Sequence, residues 1–464
     1  VLTAEQLKRF EASKSAVKPV VIVTQAEATE KEKTKATTKK TWIYKAENVR
    51  DFAFGTSRKY IWDAMGVKVE GSTQPVIMAM SYYPKEANPL YGQYSTEAVA
   101  HTLRVYSKHT IPYPYPVAQS VEAANGMEYP MISFNGPRTK LQDDGSRTYS
   151  QAEKRFLIGV VIHEVGHNYF PMIVNSDERQ WTWMDEGLNS FLDGIAGREW
   201  DPTIPWGVEA RDVVDYMKSS TQVPAMTQSD SVLRLGPNAY TKPAVALNIL
   251  REVILGRELF DFAFKEYATR WKFKRPTPAD FFRTMEEASG VDLDWFWRGW
   301  FYSTDHVDIS LDKVFQLRLD TKNPDIDFQR ERQQEQDKPV SLFVERNKAE
   351  GKVLWVEQNP DVRDFYDEND RFTVTNKERN AYNKFLHDLE PWERQAFERA
   401  VAEDKNYYVL QFSNKGGLVM PILLQLNYTD GSSEQQYIPA EIWRRSPKSV
   451  NKLIVTAKDK VLKD

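Results

Sequence analysis

Cysteine is absent from the 464 residues of the chain, and histidine occurs only six times. The lack of cysteine excludes disulfides, thiolate metal ligands and a cysteine nucleophile. No run approaches the roughly 18 to 20 consecutive apolar residues that a membrane-spanning helix needs. The net charge of −4 gives no general electrostatic attraction to nucleic acid or to anionic membranes. What is left is a chain of ordinary globular composition that is long enough for two or three domains.

The first two segments of the chain differ in the structure that they predict. Residues 1–48 indicate the remnant of an N-terminal β domain, because the strand candidates in KPVVIVTQ and TWIYKAENVRDFAF cannot bury both of their faces alone. Residues 49–305 mix strand and helix patterns, and helical spacing of apolar residues dominates their second half. We therefore expect an α+β domain with a helical second half.

The C-terminal third has a different character. Residues 306–400 indicate a charged linker and a helical segment. DFQRERQQEQDK at 327–338 shows no apolar periodicity and is typical of a linker or surface loop, either an ordered insertion or a flexible linker. Residues 401–464 contain several strand candidates, and Asp430-Gly431 has the composition of a hairpin turn. The simplest interpretation is a small β-sandwich portion at the C-terminus.

The stretch VVIHEVGHNYF, residues 160–170, places two of the rare histidines four residues apart. Ser150 and Glu153 have the spacing of a capping box, which predicts that a helix begins near Gln151 and ends before Pro171. On that helix, residues four apart lie on the same face. The pattern therefore predicts that both histidine side chains point the same way.

Two imidazole nitrogens on adjacent helical turns can bind one Zn²⁺ ion, so His163 and His167 are candidate ligands. Glu164 points to the rim of the same site, where a carboxylate can take a proton from the water that zinc activates. Glu186 follows His167 after a gap of eighteen residues, in the first turn of a second predicted helix, and is the candidate third ligand.

Each of these residues also has a structural explanation. A single histidine in an apolar helix is usually a core residue, and acidic residues favour helix N-termini because of the helix dipole. That explanation suffices for Asp185, whereas the combined spacing favours metal binding for Glu186. Asp185 and Asn189 either orient the ligands or serve as a helix cap and a surface contact.

At this point several motifs resemble those of one family. HEVGH, the eighteen-residue gap and MDEGLNSF resemble the gluzincin zinc aminopeptidases of the aminopeptidase N and leukotriene-hydrolase type. NGMEYP at 125–130 is similar to the family's G-A-M-E-N strand, AYTKPAVALNIL to its Y-x-K-G segment, and DLDWFWRGWFYS to the end of its catalytic domain. The resemblance covers about residues 42 to 305. It implies a thermolysin-like zinc domain at 49–305 followed by a small β-sandwich, with most of the N-terminal domain missing.

The resemblance also implies roles for residues outside the zinc motif. Glu128 would bind the free α-amino group of a substrate, an ammonium that only a chain terminus supplies. Gly126 and Met127 would lie along an edge strand that pairs with an extended substrate. Tyr240 would stabilise the oxyanion of the tetrahedral intermediate. A solvent-facing strand glutamate and a core tyrosine are the structural alternatives for Glu128 and Tyr240.

Two positions depart from the family pattern. Asn125 stands where the family has its first glycine, and Tyr129 stands where it has an asparagine after the glutamate. The change at Tyr129 affects the expected shape of the first subsite and the strictness of aminopeptidase action. The family also places acidic or amide residues of its N-terminal domain beside the amine site, so this pocket is expected to be incomplete here.

The sequence therefore predicts a metallopeptidase that uses one Zn²⁺ ion and acts on peptides, most simply by releasing N-terminal residues. Three alternatives remain open. A gluzincin endopeptidase would keep the zinc site but would not need Glu128. An epoxide hydrolase of the leukotriene-hydrolase kind would use the same zinc for a lipid. A peptide-binding protein on an inherited peptidase fold, or a fragment that is inactive without its N-terminal domain, would bind peptides without cutting them.

Overall fold

The computed structural model describes residues 2–464, which divide into two compact units. The first unit extends to Asp308 and includes Gly416–Met420. The second unit consists of Ile309–Lys415 and Pro421–Asp464. Both units contain helices and strands, so the predicted α+β class is confirmed, while the division into four segments stays a prediction.

A six-stranded sheet forms one layer of the first unit. Its strands are β1 (Val20–Val23), β2 (Ile61–Val67), β3 (Ile77–Tyr83), β4 (Val117–Glu122), β5 (Met127–Tyr129) and β6 (Ile132–Asn135). They are arranged in the order β1-β2-β3-β4-β6-β5, with parallel pairing from β3 to β4 and from β4 to β6. β5 lies at the edge and pairs antiparallel with β6, so its outer side is available to an extended peptide.

Helices make up most of the first unit after residue 150, as the apolar spacing predicts. The helices of this unit are α1 (Ala4–Ser13), α2 (Gln25–Glu32), α3 (Leu90–His109), α4 (Gln151–Gly166), α5 (Thr182–Trp200), α6 (Val214–Met217), α7 (Lys242–Ile249), α8 (Arg257–Trp271), α9 (Pro278–Ser289) and α10 (Asp294–Trp297). A short ribbon of β7 (Lys140–Leu141) and β8 (Arg147–Thr148) precedes α4. The second strand predicted within residues 41–54 does not form, because residues 34–60 contain neither helix nor strand.

Helix α4 begins where its capping box predicts. The Ser150 hydroxyl accepts the backbone N–H of Glu153 at 3.2 Å, and the Glu153 carboxylate accepts the backbone N–H of Ser150 at 2.6 Å. The apolar run that follows is buried against α3 and α5. After Gly166 the chain continues through an irregular helical turn, Asn168–Ile173, that contains Pro171. The capping box therefore fixes the start of α4, and the irregular turn with Pro171 follows directly after His167.

The second unit combines two small sheets with a run of helices. β9 (Ile309–Leu317), β10 (Asn406–Asn414) and β13 (Ser449–Thr456) form an antiparallel sheet with β10 in the centre, and β11 (Ile422–Asn427) pairs with β12 (Ser433–Ile438) as a hairpin. Its helices are α11 (Pro324–Gln336), α12 (Leu342–Ala349), α13 (Trp355–Gln358), α14 (Phe365–Glu368), α15 (Asn376–Asp388) and α16 (Pro391–Glu403). The predicted hairpin turn at Asp430-Gly431 is confirmed, with Gly431 at a φ of 86°. Within residues 2–464, no helix combines the length and the apolar character needed to cross a bilayer.

The interpretation of residues 327–338 as a linker or loop is wrong, because most of this stretch belongs to α11. The side chain of Asn323 caps the helix, and Pro324 occupies its first turn, where proline is tolerated. Arg332 pairs with Asp370 through two nitrogen–oxygen contacts of 2.7 and 2.9 Å. This helix is stabilised by its cap and by polar pairing and not by an apolar face. Its sequence therefore lacks apolar periodicity, and a search for apolar spacing misses it.

Candidate metal centre

Three ligand atoms meet between α4 and α5, as the sequence predicts. The Nε2 atoms of His163 and His167 are 3.1 Å apart. Glu186 Oε2 lies 3.1 Å from Nε2 of His163 and 3.3 Å from Nε2 of His167. Atoms about 2.0–2.1 Å from one tetrahedral zinc ion are separated by roughly 3.3–3.4 Å. The triangle therefore has the size that a zinc ion requires.

The other nitrogen of each histidine ring faces a hydrogen-bond acceptor. Nδ1 of His163 lies 2.8 Å from Oδ2 of Asp193. Nδ1 of His167 lies 2.8 Å from the carbonyl oxygen of Phe170 and 3.1 Å from Oδ1 of Asp185. Because these partners only accept, each Nδ1 would keep its proton when a metal is bound, which leaves the Nε2 lone pair to face the triangle.

The electrostatics of the triangle also favour a cation. Burial alone would lower the pKa of His163, but its hydrogen bonds to Asp193 and Glu186 outweigh burial and raise the pKa to about 10. Burial alone would raise the pKa of Glu186, but the two neighbouring histidines hold it below its usual value. The surroundings therefore stabilise positive charge between the three side chains, which a divalent metal ion supplies. The residues fit zinc in number, type and separation.

Glu164 lies beside the triangle without belonging to it. Its side chain is buried, and Oε2 has no hydrogen-bond partner among the described residues. Burial raises the pKa of this carboxyl, while the charges of His167 and His163 act in the opposite direction and do not cancel the rise. An unpaired carboxylate of raised pKa is suited to accept a proton from water near neutral pH.

Gly126 approaches Glu164 from the end of the edge strand. A Cβ atom at Gly126 would lie 3.5 Å from Glu164 Oε1, and the residue has a φ of 74° that L-amino acids rarely adopt. Met127 follows on β5 with its side chain 40% exposed. The structure thus places Gly126 and Met127 along the edge strand beside Glu164, as the resemblance implies.

Glu128 turns towards the metal-binding residues. One of its carboxylate oxygens lies within 4.8 Å of a possible ligand atom of His167 and of one of Asp185. Burial raises the pKa of Glu128, opposed by the charge of His167. The solvent-facing strand glutamate that served as the alternative therefore does not describe this residue. Its carboxylate lies beside the end of α4 that carries His167, opposite the end at which α4 begins.

The two departures from the family pattern pack away from the triangle. The Asn125 side chain accepts the backbone N–H of Gly136 at 2.9 Å and so links the segment before β5 to the end of β6. The Tyr129 ring meets Phe134 edge to face, with ring centroids 6.1 Å apart. Since successive side chains of a strand point to opposite faces, Tyr129 and Glu128 cannot line the same side of β5.

Tyr240 lies over the first histidine. Its ring stacks on that of His163 at a centroid distance of 5.8 Å and an angle of 20°. Burial raises the pKa of Tyr240 far above its usual value, and the hydrogen-bonded carboxylate of Glu186 raises it further. The hydroxyl is therefore protonated throughout the neutral range and can donate a hydrogen bond. Among the 22 tyrosines, the one selected by the resemblance is at the metal centre.

Asn189 supports α4 from α5. Its Nδ2 donates to the carbonyl oxygen of His163 at 2.8 Å, and its Oδ1 accepts the Tyr106 hydroxyl at 2.9 Å. A Cβ atom at Gly166 would lie 2.3 Å from Asn189 Oδ1, so only glycine permits this approach. Asn189 is fully buried, and the alternative of a surface contact is wrong.

Asp193 is a functional candidate that sequence reasoning missed. It lies on α5 seven residues after Glu186, which is two helical turns and therefore the same face. The signal was available once Glu186 had been placed on a helix. Its carboxylate fixes the His163 ring through the 2.8 Å contact with Nδ1.

Asp193→Asn is expected to weaken Zn²⁺ binding by about tenfold to a hundredfold, because the ring of His163 loses the anion that orients it and increases its basicity. Competition with a metal chelator measures this affinity. Asp201→Asn, at the C-terminal end of the same helix, is the matched control and should bind Zn²⁺ like the unmodified chain. Equal affinities for all three proteins would refute the orienting role of Asp193.

Comparison with known proteins agrees with the motifs. Residues 94–300 match the family described as "Peptidase family M1 domain". The chain is 24% identical over 228 residues to mitochondrial aminopeptidase 2 of Saccharomyces cerevisiae, covering 46% of this chain and 23% of that protein. It is 26% identical over 261 residues to probable aminopeptidase 1 of Sulfurisphaera tokodaii, covering 50% and 32%.

A solved M1 zinc metallopeptidase from Deinococcus radiodurans shares 18% identity, with a TM-score of 0.40 over 52% of this chain and 51% of that chain. The matched part spans 23% to 26% of the length of the first curated relatives, the aminopeptidases of yeast and rice. The motifs and the family match agree on the same stretch of sequence. The match to the peptidase family M1 domain therefore covers residues 94–300, the stretch that holds the candidate metal ligands.

Proposed function

We propose that the chain is a zinc-dependent metallopeptidase, and that it acts as an aminopeptidase releasing N-terminal residues from peptides. The observation that carries the proposal is the triangle of His163, His167 and Glu186, with the unpaired carboxylate of Glu164 beside it. The family match and the names of the aminopeptidase relatives support the peptidase class. One zinc ion, a thermolysin-like architecture for residues 49–305 and a C-terminal β-sandwich are part of the same proposal.

His163, His167 and Glu186 would hold the metal. When bound, zinc supplies a Lewis acid that polarises the substrate carbonyl and lowers the pKa of water. Glu164 accepts the proton that water loses as it attacks the peptide carbonyl, and then delivers this proton to the departing amine. Tyr240 donates its hydroxyl hydrogen to the oxygen on which negative charge develops.

Glu128 and β5 determine which peptide bond reaches the centre. The Glu128 carboxylate pairs with the α-ammonium group of the substrate, and the outer side of β5 pairs with the backbone of the first residue. A chain terminus is the only part of an ordinary peptide backbone that carries such an ammonium group. The geometry thus favours removal of N-terminal residues over cleavage within a chain, which is the alternative function.

A pair of matched peptides, one with a free N-terminus and one acetylated, tests the proposal on zinc-loaded protein. We expect kcat/KM for the free peptide to exceed that for the acetylated peptide by roughly tenfold to a hundredfold, because only the free peptide forms the charged pair with Glu128. Glu128→Gln should remove most of this preference. Cleavage is measured by separating the products.

Equal cleavage of both peptides would overturn the amine anchor and leave an endopeptidase. Cleavage of neither peptide by a protein that contains zinc would overturn the peptidase function and favour a peptide-binding role. Glu164→Gln also serves as a check for contaminating peptidases, because activity at the unmodified level is assigned to another protein if it separates from the chain on further purification.

A further inference from the structure

A cavity of about 680 Å³ opens beside the metal centre, on the side away from Glu128. It begins at His163 and Tyr240 and follows the first half of α4 as far as Gln151. Glu128 lies at the opposite end of the centre, where its carboxylate groups with His167. A peptide whose amine is held by Glu128 therefore extends its later residues into this cavity.

Two aromatic side chains form apolar walls of the cavity. Phe156 projects from α4 and is 49% exposed. The Trp206 ring packs between α4 and α5, where Cβ atoms built at Gly159 and Gly197 would lie 3.6 and 2.1 Å from it. Because a Cβ atom at Gly197 would overlap the ring, this packing requires glycine at that position of α5, and the ring also lies in van der Waals range of Gly159 on α4. Such walls suit apolar or aromatic side chains.

One cationic side chain, that of Arg155, lines the same cavity. It is half-buried, and among residues 2–464 it has no ion pair and no hydrogen bond. The carboxylate of Asp193, which also lines the cavity, is engaged by His163 at 2.8 Å. The guanidinium acts on the carboxylate of Asp201 through space but makes no direct ion pair with it, so it is suited to bind a substrate carboxylate in two-point geometry.

The distance from Arg155 to His163 along α4 determines the length of peptide that the site can hold. Arg155 and His163 are eight residues apart, which corresponds to about 12 Å along the helix axis. An extended peptide advances about 3.3 Å per residue. A carboxylate held by Arg155 therefore lies about three to four residues beyond the carbonyl at the metal centre.

We infer that Arg155 binds the C-terminal carboxylate of short peptides, so that the substrate class is the tetrapeptide or pentapeptide with a free C-terminus and an apolar or aromatic residue after the cut bond. The assignment rests on the proposed function for the direction in which the peptide lies. Phe156 and Trp206 contact the side chain of the residue that follows the cut bond, and Arg155 lies at the far end of the site. Longer chains lose this contact, since their carboxylate lies outside the cavity.

Binding is measured apart from cleavage, by calorimetry on the zinc-loaded Glu164→Gln protein. The probes are a tetrapeptide with phenylalanine in its second position and the same tetrapeptide with a C-terminal amide. The free carboxylate is expected to bind about tenfold more tightly, as one charge-assisted contact provides. Arg155→Gln in the same background should bring the two affinities together, and Arg155→Lys should restore part of the difference.

Lys154→Gln is the matched control, because Lys154 neighbours Arg155 in sequence but places its Nζ 4.7 Å from the ring centroid of Tyr94, outside the cavity. This variant should keep the preference for the carboxylate. Equal affinity for acid and amide, or a preference that survives Arg155→Gln, would overturn the assignment. Parallel cleavage assays on the unmodified chain separate the two proposals: discriminating binding without cleavage contradicts the peptidase function alone, and cleavage without discrimination contradicts the role of Arg155 alone.

Discussion

Glu164→Gln is expected to lower kcat/KM for peptide cleavage by about a hundredfold to ten-thousandfold, the range in which a general base contributes. That range corresponds to about 2.7 to 5.5 kcal/mol of transition-state stabilisation. Glutamine has nearly the same shape as glutamate but cannot take a proton from water. The loss should appear mainly in kcat, since the amide can still occupy the same place beside the substrate.

The surroundings of Glu164 are the reason to expect so large an effect. Oε2 is buried and has no protein partner, so the carboxylate is not committed to holding the fold together. Burial raises its pKa while the adjacent histidines act in the opposite direction. The group is thereby more basic than an exposed glutamate, which favours proton abstraction.

Two controls separate this role from a structural one. Zinc content and thermal stability of Glu164→Gln should equal those of the unmodified chain, because no atom of Glu164 belongs to the triangle of ligand atoms. Glu164→Asp keeps a carboxylate but withdraws it by one methylene group, and should fall between the two proteins. Activity of Glu164→Gln within tenfold of the unmodified chain would show that another group accepts the proton.

The metal centre could be predicted from the sequence because helical geometry is regular. Once a capping box begins α4 at Gln151, residues four apart must share a face, and the spacing of His163 and His167 becomes a distance in space. Glu186 was assigned from its spacing after His167, although no local rule states how α5 packs on α4. The structure brings its carboxylate within 3.3 Å of both ring nitrogens.

Other parts of the site depend on contacts that sequence spacing does not encode. One wall of the cavity beside α4 is Trp206, which comes from a loop after α5 and reaches its place only because α5 has a glycine, Gly197, facing it. Asn189 reaches the carbonyl oxygen of His163 through the gap left by Gly166. Such close approaches between elements distant in sequence appear only when the packing is known.

In the second unit, one helix was missed in the sequence analysis. Residues 327–338 lack apolar periodicity, yet most of them form α11, because the Asn323 cap and the pair of Arg332 with Asp370 stabilise a helix without an apolar stripe. Periodicity reports burial and not helicity itself. A polar helix of this kind is therefore read as a loop from its sequence.

Tyr240→Phe is expected to lower kcat by about a hundredfold to a thousandfold with little change in KM, the loss found when one donor to a developing oxyanion is removed. The phenyl ring can keep the stacking on His163, so the substitution removes only the hydroxyl. Because burial and Glu186 raise the pKa of this hydroxyl far above neutrality, it remains a donor at every pH at which the protein would be assayed. The ratio of kcat for the two proteins should therefore stay constant between about pH 6 and pH 9.

A constant ratio is the result that distinguishes a hydrogen-bond donor from a general acid, whose removal would change the shape of the pH profile. Tyr302→Phe is the matched control, because that tyrosine is half-exposed at 51% and is absent from the residues that line the centre. It should leave kcat and KM unchanged. A rise in KM at constant kcat for Tyr240→Phe would assign the hydroxyl to substrate binding, since uniform binding lowers KM without stabilising the transition state further. The stabilisation of negative charge would then have to come from the metal alone.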